Sequence, residues 1–467
     1  MSRPPHEISA IPCDTSGMPR RSPLLFLLFA LTALADDPPL KGVPACNRAV
    51  KLMEEGKPVE ALAVLDAAKG TMDRKDEWIW WGNKGHAHWD LRQDDLALEG
   101  FKKAVELKKD CWFRVPCANL LHEFGKYDEA LATLGGPIDP DYAERANRLR
   151  VVIKGPYRKR WPRACRKLEY SGKAGGHYNV VSDVGVETPE LDRIEAEAAK
   201  LDPADKEQAL QLDRLLEPSP QLVSLFNLLE STRREHLRLT GLTDGQWPKG
   251  KVFRVFVLRT QEEFLDFARA AGGEDARENL LGFYDPNFKY IQLYNQSGGG
   301  EVCGLHAETL DTLWHEAWHQ AFDALTAQRP EWLNEGMAEF LGKGDASADG
   351  STLSLGKLVK SDPRLITRYE RIREILKEKR HVPFSEFFRY ARDEWEEGDV
   401  LANYAQAWSV VYYAMNGDNA AFREDFRKLL KELLKGTRWQ DAVKTLFPDA
   451  KLDEYEAKWR AYMEKLE

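Results

Sequence analysis

Two histidines four residues apart lie within a strongly apolar segment, and this combination constrains the fold more than any other feature. At this spacing His315 and His319 share one face of a helix, so their rings can converge on one metal ion. The surrounding apolar residues are Leu310, Leu313, Trp314, Ala317, Trp318, Ala321 and Phe322. Polar groups on a buried helix need partners. The segment therefore predicts a buried helix that carries part of a metal site, rather than an exposed polar helix face.

A second acidic segment offers the remaining groups that a catalytic metal site needs. Two imidazoles leave a tetrahedral zinc short of one protein ligand, because catalytic sites usually supply three ligands and leave one position to water. Glu335 is the predicted third ligand, on a second helix that follows a turn marked by Pro330. Glu339 lies four residues later on the same face, where it can accept a hydrogen bond from a ligating histidine. Glu316, beside the first histidine, is placed to reach the reacting water without being a ligand.

The two segments together resemble a family of zinc peptidases. His-Glu-x-x-His occupies residues 315–319, and Trp-Leu-Asn-Glu-Gly-x-Ala-Glu occupies residues 332–339. This pair of motifs is similar to the gluzincin metallopeptidases and, more narrowly, to an uncharacterised bacterial branch of peptidase MA-like domains. The resemblance covers residues 165–420.

The resemblance implies a role for each residue. It implies that zinc is bound by His315, His319 and Glu335, with Glu316 as the general base. Fifteen residues separate His319 from Glu335, fewer than in the best-known gluzincins. This difference indicates a shortened connection, so the substrate specificity of those enzymes cannot be assigned to this chain. Tyr404 resembles a tyrosine that such enzymes present to the transition-state oxyanion, although packing alone also accounts for it.

The region before the metal motif alternates between strands and helices. Apolar periodicity predicts strands at 177–182, 251–258 and 289–294. Helices are predicted at 189–200, 204–239 and 260–271. By analogy with gluzincins, the strand at 289–294 could line the active cleft and pair with an extended substrate by strand addition. An ordinary strand within the sheet accounts for the same pattern.

The N-terminal third contains a helical repeat. Ala61, Ala97 and Ala130 are spaced by 36 and 33 residues, close to the 34-residue tetratricopeptide period. Small residues at these positions allow paired helices to approach closely. Such repeats usually present a surface for a partner protein, but two or three of them could also only brace the next domain. An unrelated helical bundle is the alternative.

The first 35 residues have the features of a signal peptide. Arg20 and Arg21 precede a short apolar run that ends in Ala33-Leu34-Ala35, as in a cleavable secretory signal. The run is too short to span a bilayer comfortably, although an uncleaved anchor is the alternative. Met18 could be the true start. The pattern predicts export to the periplasm or the extracellular space, and the five later cysteines leave at least one free thiol.

Length and charge set the remaining limits. A chain of 467 residues holds two or three domains, and a net charge of −9 gives no basic face for nucleic acid. The predicted class is mainly α with a smaller α+β part. The predicted domains are a signal peptide at 1–35, tetratricopeptide-like helical repeats at 41–150, a linker at 151–176, a gluzincin-like catalytic domain with a short sheet at 177–345, and a helical C-terminal subdomain at 346–467.

These features predict a secreted or periplasmic bacterial zinc peptidase that hydrolyses peptides or proteins. A partner protein on the helical repeats is compatible with this function, and no membrane span is predicted in the mature chain. An inactive or regulatory peptidase-like scaffold is the alternative. A zinc hydrolase that acts on other substrates is a third reading.

Overall fold

The computed structural model describes residues 40–172, 176–272, 280–295, 300, 302–362 and 366–466. The chain is 61% helical with 8% strand, which confirms a mainly α class with a smaller α+β part. The predicted signal peptide lies outside the described residues. Among the described helices, none is both long enough and apolar enough to cross a membrane.

The first of two compact units contains the described residues up to Lys154, together with Pro286–Phe288. Its helices are α1 Gly42–Glu54, α2 Pro58–Ala67, α3 Glu77–Asp90, α4 Asp94–Leu107, α5 Arg114–Glu123, α6 Tyr127–Leu134 and α7 Ala143–Lys154. Ala61, Ala97 and Ala130 are completely buried. A Cβ added at Gly100 would lie 2.8 Å from the carbonyl oxygen of Trp81, so α3 and α4 meet at backbone distance. Their identity as tetratricopeptide repeats stays a prediction.

The second unit, Gly155–Asp285 and Lys289–Glu467, contains a five-stranded mixed sheet. The strands are β1 Glu169–Tyr170, β2 Tyr178–Ser182, β3 Phe253–Leu258, β4 Gly282–Asp285 and β5 Tyr290–Tyr294. Their order in the sheet is β1-β2-β3-β5-β4, with β2, β3 and β5 parallel and the outer strands β1 and β4 antiparallel to their neighbours. Every residue of β2 and β3 is buried, as expected for parallel strands covered on both faces.

The predicted cleft-lining strand at 289–294 is an interior strand. β5 pairs with β3 on one side and with β4 on the other, so its backbone groups are used within the sheet. The expectation that this strand pairs with substrate is therefore wrong, and β4 forms the edge instead. Sequence periodicity could not identify β4 because it has only four residues.

The remaining helices surround the sheet and form the C-terminal part of the unit. They are α8 Thr188–Ala198, α9 Lys206–Leu215, α10 Pro220–Thr240, α11 Gln261–Ala270, α12 Ala307–Leu325, α13 Glu331–Leu341, α14 Arg368–Lys377, α15 Phe384–Phe387, α16 Arg392–Glu397, α17 Val400–Asn416, α18 Ala420–Leu434, α19 Trp439–Leu446 and α20 Asp449–Lys465. The helix predicted at 204–239 is divided into α9 and α10. Pro220 stands at the start of α10, and the Ser219 hydroxyl accepts a hydrogen bond from the Leu222 N–H as its cap.

The segment predicted as a linker, 151–176, contains regular structure. It begins inside α7, includes a 3₁₀ helix at Ala164–Leu168, and ends with β1. The Tyr157 hydroxyl donates to Asp183 at 2.6 Å, and the Trp161 indole N–H donates to Asp192 at 2.8 Å. These two buried aromatic residues fix residues 155–161 within the second unit, although the prolines and basic residues of the segment are typical of a loop.

The loop predicted at 345–352 is a hairpin. β6 Gly344–Ala346 pairs antiparallel with β7 Leu353–Leu355. The Asp349 carboxylate accepts hydrogen bonds from the side chains of Ser347 and Ser351 within the turn. The polar composition that indicated a loop therefore belongs to the turn, and the flanking residues pair as strands.

Helices α12 and α13 lie in a core that extends into the C-terminal helices. One apolar cluster includes Leu313 of α12, Trp332 of α13 and Trp459 of α20. The predicted catalytic and C-terminal parts therefore share a core. The Thr326 hydroxyl, in the turn between α12 and α13, donates to the carbonyl of Leu433 at 2.7 Å. This bond fixes the turn that sets the spacing between the two helices.

Gly336→Ala should lower the free energy of unfolding. A Cβ at this position would lie 2.6 Å from the carbonyl oxygen of Ala407 on α17, and a backbone atom there cannot move aside easily. Overpacking costs about 1–3 kcal/mol, whereas the higher helix propensity of alanine returns about 1 kcal/mol at most. Denaturant unfolding of this variant beside Gly245→Ala, whose nearest such neighbour is 3.9 Å away, tests this. Equal stabilities of the two variants would contradict the close packing.

Asp183→Asn should change how stability depends on pH. Burial raises the pKa of Asp183 to about 6, although Tyr157 and Arg259 donate hydrogen bonds to it. The folded protein therefore binds this proton more tightly than the unfolded chain. Relative to the variant, the wild type should gain up to about 3 kcal/mol of stability as the pH falls from 7 to 4. A difference in unfolding free energy that does not vary over this range would show that Asp183 does not titrate there.

Candidate metal centre

The three predicted ligands come together in the structure. The Nε2 atoms of His315 and His319 lie 3.1 Å apart, because the two residues are one turn apart on α12. Glu335 Oε2 lies 3.4 Å from His319 Nε2 and 3.7 Å from His315 Nε2. These ligand atoms all lie within 4.8 Å of one another, and they form the one group of three potential metal ligands among the described residues.

The polar atoms of this group are not satisfied by the protein alone. Glu335 is 4% exposed, and its buried Oε2 has no hydrogen-bond partner of ordinary geometry. Two imidazole nitrogens also face each other at the same point. Leaving a buried carboxylate oxygen unsatisfied is costly, whereas one cation between the three atoms would bind all of them. The residues therefore fit a metal ion.

Asn334 connects two of the three ligands. The Nδ1 atom of His319 lies 3.1 Å from Asn334 Oδ1, and the Asn334 amide donates to Glu335 Oε1 at 3.2 Å. Because the amide oxygen can only accept, this contact assigns the proton to Nδ1 and leaves the Nε2 lone pair for a metal. Sequence reasoning missed Asn334. The signal in the sequence was an asparagine directly before Glu335, in a segment that is otherwise largely apolar.

Glu339 does not make the predicted hydrogen bond to a ligating histidine. Its Oε1 lies 3.7 Å from His315 Nδ1, which is longer than a hydrogen bond. Both of its oxygens instead accept hydrogen bonds from the Arg368 guanidinium, at 2.8 and 2.9 Å. Arg368 was missed because it lies 29 residues later, on α14, where no local pattern links it to Glu339.

Glu316, on α12, contacts the edge strand of the sheet. Its Oε2 accepts a hydrogen bond from the backbone N–H of Tyr284 at 2.9 Å. Tyr284 belongs to β4, so the predicted general base is oriented by the edge strand. The side chain is 7% exposed.

Asp323 holds the same strand against α12. Its carboxylate accepts a hydrogen bond from the Tyr284 hydroxyl at 2.6 Å and pairs with Lys289 and with Arg329, the latter at 2.9 Å. Asp323 lies one turn beyond His319 and is 1% exposed. Tyr284 therefore contacts α12 at two points, through its backbone at Glu316 and through its hydroxyl at Asp323.

Tyr404 lies on α17 and is 1% exposed. Its ring meets Trp395 edge-on, with the ring centroids 5.5 Å apart, and the Arg368 guanidinium lies 5.3 Å from its centroid. These contacts are those of a packed residue beside the metal site. A role in stabilising an oxyanion stays a prediction.

The buried charges of this centre stabilise one another and shift the pKa values of its histidine and glutamate side chains. Burial disfavours the charged form of His319, but the Glu335 carboxylate beside it raises the pKa of that imidazole to about 9. Burial also disfavours ionised Glu339, yet the paired Arg368 guanidinium lowers the pKa of that carboxyl to about 2. The pKa of Glu335 is likewise lowered, because the two histidines outweigh its burial.

Comparison with known proteins gives one family match. Residues 309–433 match a family described as "Protein of unknown function (DUF1570)". The match runs from the first turns of α12 through α18, so it includes the three potential ligands, Glu316 and Tyr404. No curated protein matches the chain.

Asn334→Ala should weaken metal binding without removing the ligands. Loss of the contact to His319 frees the ring to rotate, and such changes typically cost 10–100-fold in metal affinity. Competition with a chromophoric chelator measures the affinity. Asn416→Ala, which removes an amide that donates to the carbonyl of Tyr412 on its own helix, is the control and should bind the metal as the wild type does. Unchanged affinity in Asn334→Ala would show that the asparagine does not orient the ligand.

Proposed function

We propose that the protein is a zinc-dependent peptidase. The observation that carries the proposal is the position of Glu316 beside a group of two histidines and one glutamate, at the edge of the sheet. Two histidines and a glutamate are a ligand set of catalytic zinc sites, which keep an open position. Ligands 2.0–2.1 Å from a tetrahedral ion lie about 3.3 Å apart, and the separations of 3.1, 3.4 and 3.7 Å are close to this value.

Zinc, when bound, would supply a Lewis acid that polarises the scissile carbonyl and acidifies water in the open position. Glu316 would accept a proton from that water and deliver it to the leaving amine. The Tyr284 N–H supports this role because its hydrogen bond helps to orient the Glu316 carboxylate. Asn334 keeps His319 in the tautomer that leaves Nε2 free to bind the metal.

Strand β4 is the proposed binding edge for an extended peptide. Among the described residues, β4 pairs with β5 along one side, and edge strands accept extended peptides through backbone hydrogen bonds. Tyr284, in this strand, already donates its backbone N–H to the Glu316 carboxylate. A peptide added to this edge would therefore pass the general base. β4 thus takes the substrate-binding role that the sequence had suggested for the strand at 289–294.

Export of the protein and a partner protein on the N-terminal helices belong to the same proposal. An exported peptidase with its own interaction surface could act on one partner rather than on peptides in general. The alternative, an inactive scaffold, requires that the ligand group either bind no zinc or bind it without turnover.

Glu316→Gln should keep zinc and abolish hydrolysis, because the amide cannot accept the proton of water. A positioned general base contributes about 10²–10⁴-fold, so cleavage should fall at least 100-fold. Zinc content is measured by elemental analysis, and cleavage by mass spectrometry of a mixed peptide library. Glu335→Ala should lose both zinc and activity.

Two outcomes would contradict the proposal. Hydrolysis retained in Glu316→Gln would exclude this residue as the base. A wild-type protein that binds one zinc but cleaves no peptide in the library would favour the scaffold.

A further inference from the structure

We infer that Arg368 is a positioning residue for the metal centre, acting through Glu339 on His315. The inference rests on the proposed function, since it concerns the same metal site. Arg368 donates from Nε and Nη2 to the two oxygens of Glu339, at 2.8 and 2.9 Å. Two parallel bonds of this kind fix the plane of a carboxylate as well as its position.

The fixed carboxylate faces a metal ligand. Glu339 Oε1 lies 3.7 Å from His315 Nδ1, on the opposite side of the ring from the Nε2 atom that points to Glu335. A ligating histidine usually directs its second ring nitrogen to a carboxylate, carbonyl or water. Glu339 is the carboxylate that faces this nitrogen, at a distance slightly beyond a hydrogen bond, and Arg368 determines where its oxygens lie.

The charge of Arg368 compensates that of Glu339. Its guanidinium lies within hydrogen-bond distance of both Glu339 oxygens, and Lys343 adds a smaller electrostatic effect on the same carboxylate. A buried carboxylate without a counter-charge is strongly disfavoured, and Glu339 is only 11% exposed.

The helix that carries Arg368 does not need it. α14 begins with a complete capping box, in which the Thr367 side chain accepts from the Glu370 N–H and the Glu370 side chain accepts from the Thr367 N–H. A positive side chain in the first turn is unfavourable for the helix dipole. The position of Arg368 is therefore explained by its partner on α13 and not by the stability of α14.

A double-mutant cycle on zinc affinity tests the inference. Arg368→Gln and Glu339→Gln should each weaken zinc binding about 10–100-fold, the usual effect of losing an outer partner of a ligand. If Arg368 acts through Glu339, the second substitution should cause no further loss. The double variant should therefore bind zinc about as well as the single variant with the lower zinc affinity. The double variant removes both the guanidinium and the carboxylate, so it leaves no unpaired charge in the fold. It therefore keeps the test valid if one of the single variants folds poorly.

Further variants separate positioning from general stability. Arg368→Lys keeps the charge but not the paired bonds, so its zinc affinity should lie between those of the wild type and Arg368→Gln. Arg373→Gln, on the same helix but bonded to Tyr369 and Leu466, should bind zinc as the wild type does. Replacing zinc with Co²⁺ gives an absorption spectrum that reports ligand geometry, and it should change in Arg368→Gln but not in Arg373→Gln.

Several results would overturn the inference. Unchanged zinc affinity in Arg368→Gln, or losses that multiply in the double variant, would show that Arg368 does not act through Glu339. If the wild type nevertheless binds zinc and cleaves peptides, the proposed function holds and only the role of Arg368 is wrong. A wild type without zinc would overturn the proposed function and this inference together.

Discussion

The burial of three carboxylates and two imidazoles between apolar helices is the constraint on which the rest of this structure depends. Charged groups can remain in such a place only if each has a partner. Arg368 pairs with Glu339, the Tyr284 N–H bonds Glu316, and Asn334 connects Glu335 with a histidine. These partners come from α14, β4 and α13. The site therefore dictates which elements must lie beside α12.

The group of potential metal ligands could be predicted from the sequence, because it depends on local geometry. One helical turn separates His315 from His319, and a short connection brings Glu335 to the same point. The strands β2, β3 and β5 were also predictable, since each is rich in β-branched and aromatic residues. Arg368 and the edge position of β4 were not, because both depend on pairings between distant residues. A local pattern predicts what an element is, but not which neighbour it pairs with.

Two segments with the composition of a loop include or adjoin regular structure, for a common reason. The prolines and basic residues at 156–163 indicated a linker, yet the side chains of Tyr157 and Trp161 donate hydrogen bonds to the carboxylates of buried Asp183 and exposed Asp192, respectively. At 345–352, the serines and aspartates of a tight turn concealed the two short strands beside it. In both segments, most residues are typical of a loop while a few contacts determine the structure. Composition averaged over a window gives those few contacts too little weight.

The bond from Thr326 to Leu433 has a consequence for the order in which the protein is made. The chain leaves the ribosome from its N-terminus, so both histidines and Glu335 emerge well before Leu433, which lies 107 positions after Thr326. The turn that spaces the ligand helices stays untethered until α18 has been synthesised. Arg368 and α17 likewise follow the ligands. The candidate centre can thus reach its final surroundings only after α18 has emerged, well after its own residues have been synthesised.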